Sequence, residues 1–366
     1  MECKKIQIKN FRNIEDAALS FDPGVNLLVG KNAEGKTNLL EAIGFSAIGK
    51  SFRTQHEEDL IRFGADLTEI SLDFCDSERE QNITVRMMPG KKRRIEHNKV
   101  KVTRLSDIVG VFRTVLFCPE HLSLVKDGPS ERRNFLDLAL SQLYPLYLKS
   151  LQRYNQILKQ RNQLIRDYEK DPDTFSSTIE FWSLQLAKEA AVIARYREEY
   201  VRLADQHVKE CFLEMTGQKE LPELFYEGSS KAEDYSDCKK TEEDYATLLM
   251  SHHDREIGAG TTLYGIHKDD IAININGKNA RVFASQGQQR SLSLALKLSE
   301  GELSRKVSGE IPVFLFDDVF SELDKGRREY LSSKLKGKQV IITTCEPVEK
   351  VFGKCFRVEN GHYFEE

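Results

Sequence analysis

The chain has 366 residues, which allows roughly two domains and a sizeable core. It is 40% hydrophobic and 31% charged, the balance of an ordinary folded chain, and no apolar run reaches the length of a membrane span. The net charge of −4 excludes a global positive field, so any attraction for nucleic acid has to come from local basic patches. Seven scattered cysteines with no CxxC pair argue for reduced thiols in a reducing compartment. Met1 leads straight into an alternating strand pattern, with no leader-like segment, so the expected location is the cytoplasm with no membrane contact.

In chain order, Val25–Val29 is a short apolar run that predicts a buried strand, and it ends in Gly30. After a glycine-containing turn, Leu39, Leu40, Ile43 and Ala47 fall at helical spacing. From about Glu69 to Lys101 the pattern alternates again, as in an antiparallel meander. The texture changes near Pro119. Leu151, Tyr154, Leu158 and Ile165 form one helical stripe, and Ile179, Trp182, Leu186, Ile193, Tyr196, Tyr200 and Leu203 form a second. Asp171-Pro172-Asp173 separates them, so the two read as a helical hairpin. Gly228 to Asp244 is polar and weakly patterned, and reads as a surface loop or a partly helical linker. Ile271, Ile273 and Ile275 then alternate up to Asn276-Gly277, a hairpin turn signal. A helix from Ser291 to about Ser304 and buried strands at Val313–Phe316 and Gln339–Thr344 follow.

Gly30, Lys31, Asn32, Ala33, Glu34, Gly35, Lys36 and Thr37 match GxxxxGK[ST], between a predicted strand and a predicted helix. Such a loop turns its N–H groups inward around phosphate, and the helix N-terminus adds positive charge. Lys36 can bridge β- and γ-oxygens of a nucleotide, and the Thr37 hydroxyl can ligate Mg²⁺, a pattern shared by kinases, GTPases and ABC ATPases. Val313–Phe316 runs into Asp317-Asp318. Four apolar residues followed by an acid make a Walker B pattern. Asp317 is then the Mg²⁺ holder, with Thr37, and Asp318 the general base that activates water. Catalysis is assigned to Lys36 and Asp318. Ser285, Gly287, Gln288 and Gln289 open a helix upstream and read as an ABC signature with Gln286 in place of its first glycine. In ABC proteins, whose motif order this resembles, that segment binds the γ-phosphate held by a second copy. Ser321 and Asp324 read as the D-loop. Thr343-Thr344 stands where many ABC proteins carry a switch histidine, which is absent here.

Further strings extend the likeness along nearly the whole chain. They are Asn10–Asn13, Gly49–Thr54, Pro129–Arg133 with Phe135–Asp137, Gly265–Asp270 and Asp317–Asp324. On them the sequence resembles the RecF family of SMC-like ABC ATPases. Ile266 and Lys268 depart from the family pattern, which has proline and arginine there. The resemblance implies an α/β (α+β) P-loop ATPase head of ABC type, with an antiparallel β subdomain and an inserted α-helical lid hairpin. The expected division is 1–118 with 255–366 as head and 119–254 as lid with its linker. The resemblance further implies a weak DNA-dependent ATPase with ATP and Mg²⁺ as cofactors. It implies DNA (single-stranded, double-stranded and gap junctions), an ATP-dependent homodimer, and RecR with RecO as partners. The implied setting is RecA loading in recombinational repair and the SOS response.

The DNA surface has two readings throughout. Lys91, Lys92, Arg93 and Arg94 form either a phosphate-contacting hairpin tip or a solvated loop. Arg132 and Arg133, with Arg153 and the tyrosines at 144, 147 and 154, form either a basic aromatic face or hairpin core. Arg12, Lys31 and Arg53 are basic residues that can serve the nucleotide instead. Asp318 is one methylene shorter than the glutamate usual at its position, so slow hydrolysis, a timer rather than a motor, is expected. Rival readings are the ATPase subunit of another machine, such as a transporter, and a structural DNA clamp with negligible turnover. A GTPase is disfavoured, since Asn98-Lys99-Val100-Lys101 lacks the aspartate of a guanine motif.

Overall fold

Strand β1 (Glu2–Phe11) buries Cys3, Ile6, Ile8 and Phe11 and exposes Lys4, Gln7 and Lys9, with one register shift between Cys3 and Lys5. It belongs to a computed structural model that describes residues 1–217, 219–230, 232, 234–345 and 353–366. After β1 come β2 (Ile14–Ser20), β3 (Val25–Val29), α1 (Lys36–Ile48), β4 (Thr68–Cys75), β5 (Glu80–Met87), β6 (Arg94–His97), β7 (Val100–Val102) and β8 (Thr114–Phe117). Next are α2 (Pro129–Leu143), α3 (Pro145–Arg166), α4 (Pro172–Thr216), β9 (Pro222–Glu227), α5 (Cys238–Met250), α6 (His253–Ala259), β10 (Asp270–Ile275), β11 (Lys278–Asn279) and α7 (Ala280–Phe283). The chain closes with α8 (Gln286–Ser308), β12 (Val313–Asp317), α9 (Lys325–Lys334), β13 (Val340–Thr344), β14 (Gly353–Glu359) and β15 (His362–Glu365).

Contacts divide the chain into Met1–Ser123 with Ser293–Glu366, and Leu124–Leu292. The first unit holds two sheets. One is antiparallel, in the order β2-β1-β4-β5-β6-β7, and contains the predicted meander. The other runs β15-β14-β3-β13-β12-β8 and is parallel except at β14–β15. Its strands β12 and β13 are buried at every position, which explains their unbroken apolar texture. The C-terminal ends of β3, β12 and β13 lie together at one end of this sheet, where α/β folds collect their ligands.

The second unit contains the helical hairpin. Asp171 caps α4 by accepting from the Thr174 N–H at 3.0 Å, and Pro172 starts the helix. Tyr154, Ile165, Ile179, Leu186, Ile193 and Tyr200 are buried, as their spacing requires. The expected boundaries differ from this division. Residues 255–292 fold with the inserted unit because β10 pairs antiparallel with β9 and packs against α2. Asn276 and Gly277 have φ of 50° and 75° in the β10–β11 turn, as a two-residue hairpin turn demands. The expected polar linker contains α5, capped by Asp237, which buries Thr241, Tyr245 and Leu249 on one face.

Two family strings meet inside this unit. Arg132 makes a bidentate pair with Asp270, 2.7 Å on both arms, and Arg133 donates to the Asp269 carbonyl at 2.7 Å. Asp269, 1% exposed, accepts from Tyr226, Ser229 and Tyr245. Arg197 pairs with Asp137 at 2.8 Å and donates to the Ile266 carbonyl at 2.7 Å. Among the described residues no helix is long and apolar enough to cross a membrane.

Candidate nucleotide site

The site grows from the end of β3. A side chain at Gly30 would collide with the Val358 carbonyl on the neighbouring strand, so the turn excludes a Cβ there. Gly35 has φ 113°, a conformation that other residues avoid, and it starts α1. The loop is braced from outside. Asn13, in the turn between β1 and β2, donates to the Ala33 carbonyl at 3.3 Å and accepts from Asn38 at 2.7 Å. The Gly361 N–H donates to the Glu34 carbonyl at 2.7 Å. Lys31, Asn32 and Ala33 stay exposed at the crest. Lys36 is buried, and its ammonium donates to the carbonyls of Gly30 (2.6 Å) and Lys31 (2.8 Å).

Thr37 donates to Asp317 Oδ1 at 2.7 Å, and Thr343 donates to the same oxygen at 2.8 Å. Parallel pairing of Asp317 with Thr343 and of Thr344 with Val29 sets this junction, so three adjacent strands fix it. Burial pushes the Asp317 carboxyl above the usual carboxylate range, and the two hydroxyls pull it back. The hydroxyl and the carboxylate oxygen form the hard oxygen pair that Mg²⁺ takes, so these residues fit the metal. Asp318 has φ 51°, held by its N–H donating to Thr343 O (3.2 Å) and Oγ1 (2.9 Å). Its Oδ1 is buried and makes no hydrogen bond with the described residues. A buried acceptor without a donor fits a group meant to take a proton from something it binds.

Around the loop, Glu41 is fully buried and accepts two bonds from Arg12, at 3.0 and 2.8 Å. Arg53 reaches Asn38 at 2.7 Å and Glu41 at 3.5 Å while its side chain stays 45% exposed. Its positive charge favours ionised Asp317. Glu120 went unnoticed in the sequence. It follows β8, whose Phe117 pairs with Phe316, and its negative charge opposes ionisation of Asp317. The signal available was a carboxylate just past a short apolar run, Thr114–Phe117.

Ser285 and Gln288 form a reciprocal capping box on α8. The Ser285 N–H donates to Gln288 Oε1 at 2.6 Å, and the Gln288 N–H to Ser285 Oγ at 3.3 Å. Ser285 is exposed, while Gln289 is buried and donates to the Ala280 and Arg281 carbonyls. Gly287 lies in the first turn of the helix. Ser321 donates to the Asp318 carbonyl at 2.6 Å. Asp324 caps α9, accepting from the Arg327 N–H at 3.0 Å.

The basic candidates separate. Lys91, Lys92 and Arg94 are exposed. Arg93 is tied to Glu57 (2.7 Å) and the Gly49 carbonyl (2.6 Å), over the Phe45 ring. Arg132 is 3% exposed and locked to Asp270 and three backbone carbonyls, so it is no surface contact. Its helix turns it inward. Tyr147 and Tyr154 are fully buried, as hairpin core.

A family model described as the RecF/RecN/SMC N-terminal domain matches residues 2–360. The DNA replication and repair protein RecF of Clostridium novyi (strain NT) is 37% identical over 366 residues, 99% of both chains. The chain belongs to the RecF family. RecF of Bacillus cereus (strain B4264) is 38% identical over 346 residues, covering 94% of this chain and 92% of the relative. A solved RecF–ATPrS structure, described as the recombination mediator protein of the RecFOR pathway, superposes with a TM-score of 0.95 at 32% identity. It covers 100% of this chain and 98% of the other. The corresponding RecF–ATP structure gives 0.93, also at 32% identity, over 100% and 97%. An SMC head bound to the winged-helix domain of ScpA gives 0.58 at 18% identity over 100% and 97%, a likeness of fold alone. The expected ABC-type ATPase head fold is thereby established.

Proposed function

We propose that this chain is an ATP-dependent DNA-binding protein of recombinational repair, whose two copies sandwich ATP and close on DNA. The junction of Thr37, Asp317 and Thr343 beside Asp318, whose buried Oδ1 has no hydrogen-bond partner among the described residues, carries the reading. The phosphate loop and the α1 N-terminus bind the phosphates, and Lys36 exchanges its two carbonyls for phosphate oxygens. Thr37 and Asp317 would hold Mg²⁺, which would supply neutralisation of phosphate charge. Asp318 accepts the proton of the attacking water at Oδ1. Ser285 and the α8 N-terminus of a second copy complete the γ-phosphate contact. Hydrolysis then releases the partner and the DNA. DNA attraction comes from exposed bases such as Lys91, Lys92 and Arg94. The relatives' names and the RecFOR description of the solved complexes support RecO and RecR as partners.

The test is direct. Lys36→Met abolishes ATP binding, whereas Asp318→Asn keeps binding and loses turnover by about 10²-fold or more. Measurable ATP affinity in Lys36→Met, or full turnover in Asp318→Asn, overturns the assignment. A second reading, a clamp with negligible turnover, draws on the short reach of Asp318. Steady-state phosphate release in the presence of DNA separates the two.

A further inference from the structure

Cys345 follows β13 and sits among the residues of the nucleotide site. Its Sγ lies 2.9 Å from Asn32 Oδ1, 3.6 Å from Lys36 Nζ and 3.7 Å from Asp318 Oδ2. Lys36 only donates, so the sulfur accepts there. The thiol has one hydrogen, and two acceptors compete for it: the Asn32 amide oxygen and the Asp318 carboxylate. The other carboxylate oxygen of Asp318 is buried and without a partner among the described residues. The direction of that carboxylate therefore depends on what the thiol does.

We infer that Cys345 is a positioning residue that couples the phosphate loop to Asp318 by passing its thiol hydrogen between Asn32 and Asp318. The inference rests on the proposed ATPase reading. Asn32 and Lys36 both belong to the loop that grips phosphate, so phosphate changes what each asks of the sulfur. When Asn32 swings to donate its amide N–H to phosphate and Lys36 turns to the same oxygens, the thiol loses its Asn32 acceptor, and the hydrogen passes to Asp318 and fixes the carboxylate against the attacking water. Serine at this position offers the same single hydrogen. Alanine offers none.

The thiol also reports the state of the site. The seven cysteines are thiols rather than disulfides, and Cys3 and Cys118 are buried, while Cys345 is partly exposed. A maleimide adds to it by forming one S–C bond across the ring double bond, with the thiol proton ending on the adjacent ring carbon and no leaving group. The experiment is N-ethylmaleimide labelling of the full chain, mapped by peptide mass, together with ATP affinity and turnover of Cys345→Ser and Cys345→Ala. With Mg-ATP at about 100 times its dissociation constant, labelling of Cys345 slows about a hundredfold by occupancy alone, while Cys75, Cys211 and Cys238 label as before. Cys345→Ala lowers kcat about tenfold with ATP affinity within about twofold, and Cys345→Ser restores kcat to within about threefold. A Cys345 labelling rate indifferent to ATP, an alanine variant with normal kcat, or a serine variant as slow as the alanine one overturns the inference. In each case normal ATP affinity leaves the ATPase reading standing. A chain that fails to bind ATP at all overturns both.

Discussion

At the scale of single residues, Arg132 and Lys91 look alike in the sequence and differ entirely in the fold. Arg132 is buried against Asp270 with near-ideal bidentate geometry. Removing one member of such a pair leaves an uncompensated charge inside, which costs about 3–5 kcal/mol. Lys91 and Lys92 stand in solvent after Gly90, whose φ of 66° turns the chain. Arg132→Ala is expected to lower the denaturation midpoint strongly while folded protein keeps its DNA affinity. Lys91→Ala with Lys92→Ala is expected to leave the midpoint alone, weaken DNA binding, and flatten the slope of log affinity against log salt by about 0.9 per lysine. Denaturant titration and fluorescence anisotropy at several salt concentrations check both. An unchanged salt slope would remove the β5–β6 tip from the DNA surface. No local signal separates these basic residues, because the partner of Arg132 lies far along the chain at Asp270.

At the scale of elements, two packed histidines make stability depend on pH. His121, after β8, is stacked on Phe117, and burial pushes its pKa down to about 3, with Lys297 adding to the effect. His267, before β10, is bonded to Tyr154 at 2.6 Å, and burial pushes it down to about 4. An unfolded histidine takes a proton near pH 6.5, so below that value the unfolded state binds more protons than the folded one. The stability these groups support is full above about pH 6.5 and falls as pH drops toward about 4 and then about 3. Denaturant midpoints taken from neutral to about pH 4 are expected to fall, and His121→Asn is expected to flatten the curve by one proton. A midpoint equally flat in both proteins would sink the argument. The same elements show what local pattern reveals. The hairpin stripes were legible because α3 and α4 each bury one face at helical spacing. The phosphate loop and the Asp317-Asp318 strand end were legible because strand, turn and helix follow one another in sequence. Helix α5 was legible only as a partly helical option, since Glu242, Glu243 and Asp244 fill the gap between Thr241 and Tyr245, and Tyr245 is satisfied by distant Asp269. The strand order β3-β13-β12-β8 was hidden, because pairing between distant segments leaves no local mark. Glu120 and Cys345 matter only once that order sets their strands beside β12 and β3.

At the scale of the whole molecule, the proposed two-sided nucleotide site would make pairing and ATP occupancy a single linked equilibrium, in which each raises the other. Ser285 is the residue that can separate the signature's two jobs. Within its own chain it caps α8, and in the proposed pairing it would offer a second copy a hydroxyl and a helix N-terminus. Ser285→Asp keeps a good cap and suits the helix dipole, so α8 remains formed. It also sets a carboxylate against the γ-phosphate, where two negative charges repel. Ser285→Arg removes the cap, at a cost of about 0.5–2 kcal/mol, and fills the same space. In an Asp318→Asn background, where turnover is slow, light scattering with Mg-ATP is expected to show a rise from 42.0 kDa to twice that mass. With Ser285→Asp or Ser285→Arg added, the mass is expected to stay at the monomer while ATP binding to the phosphate loop persists. Loss of pairing in the arginine variant alone would trace it to a damaged α8. Doubling of the mass in the aspartate variant would mean that the γ-phosphate does not meet Ser285 of a second copy, and the closing step would need a different contact.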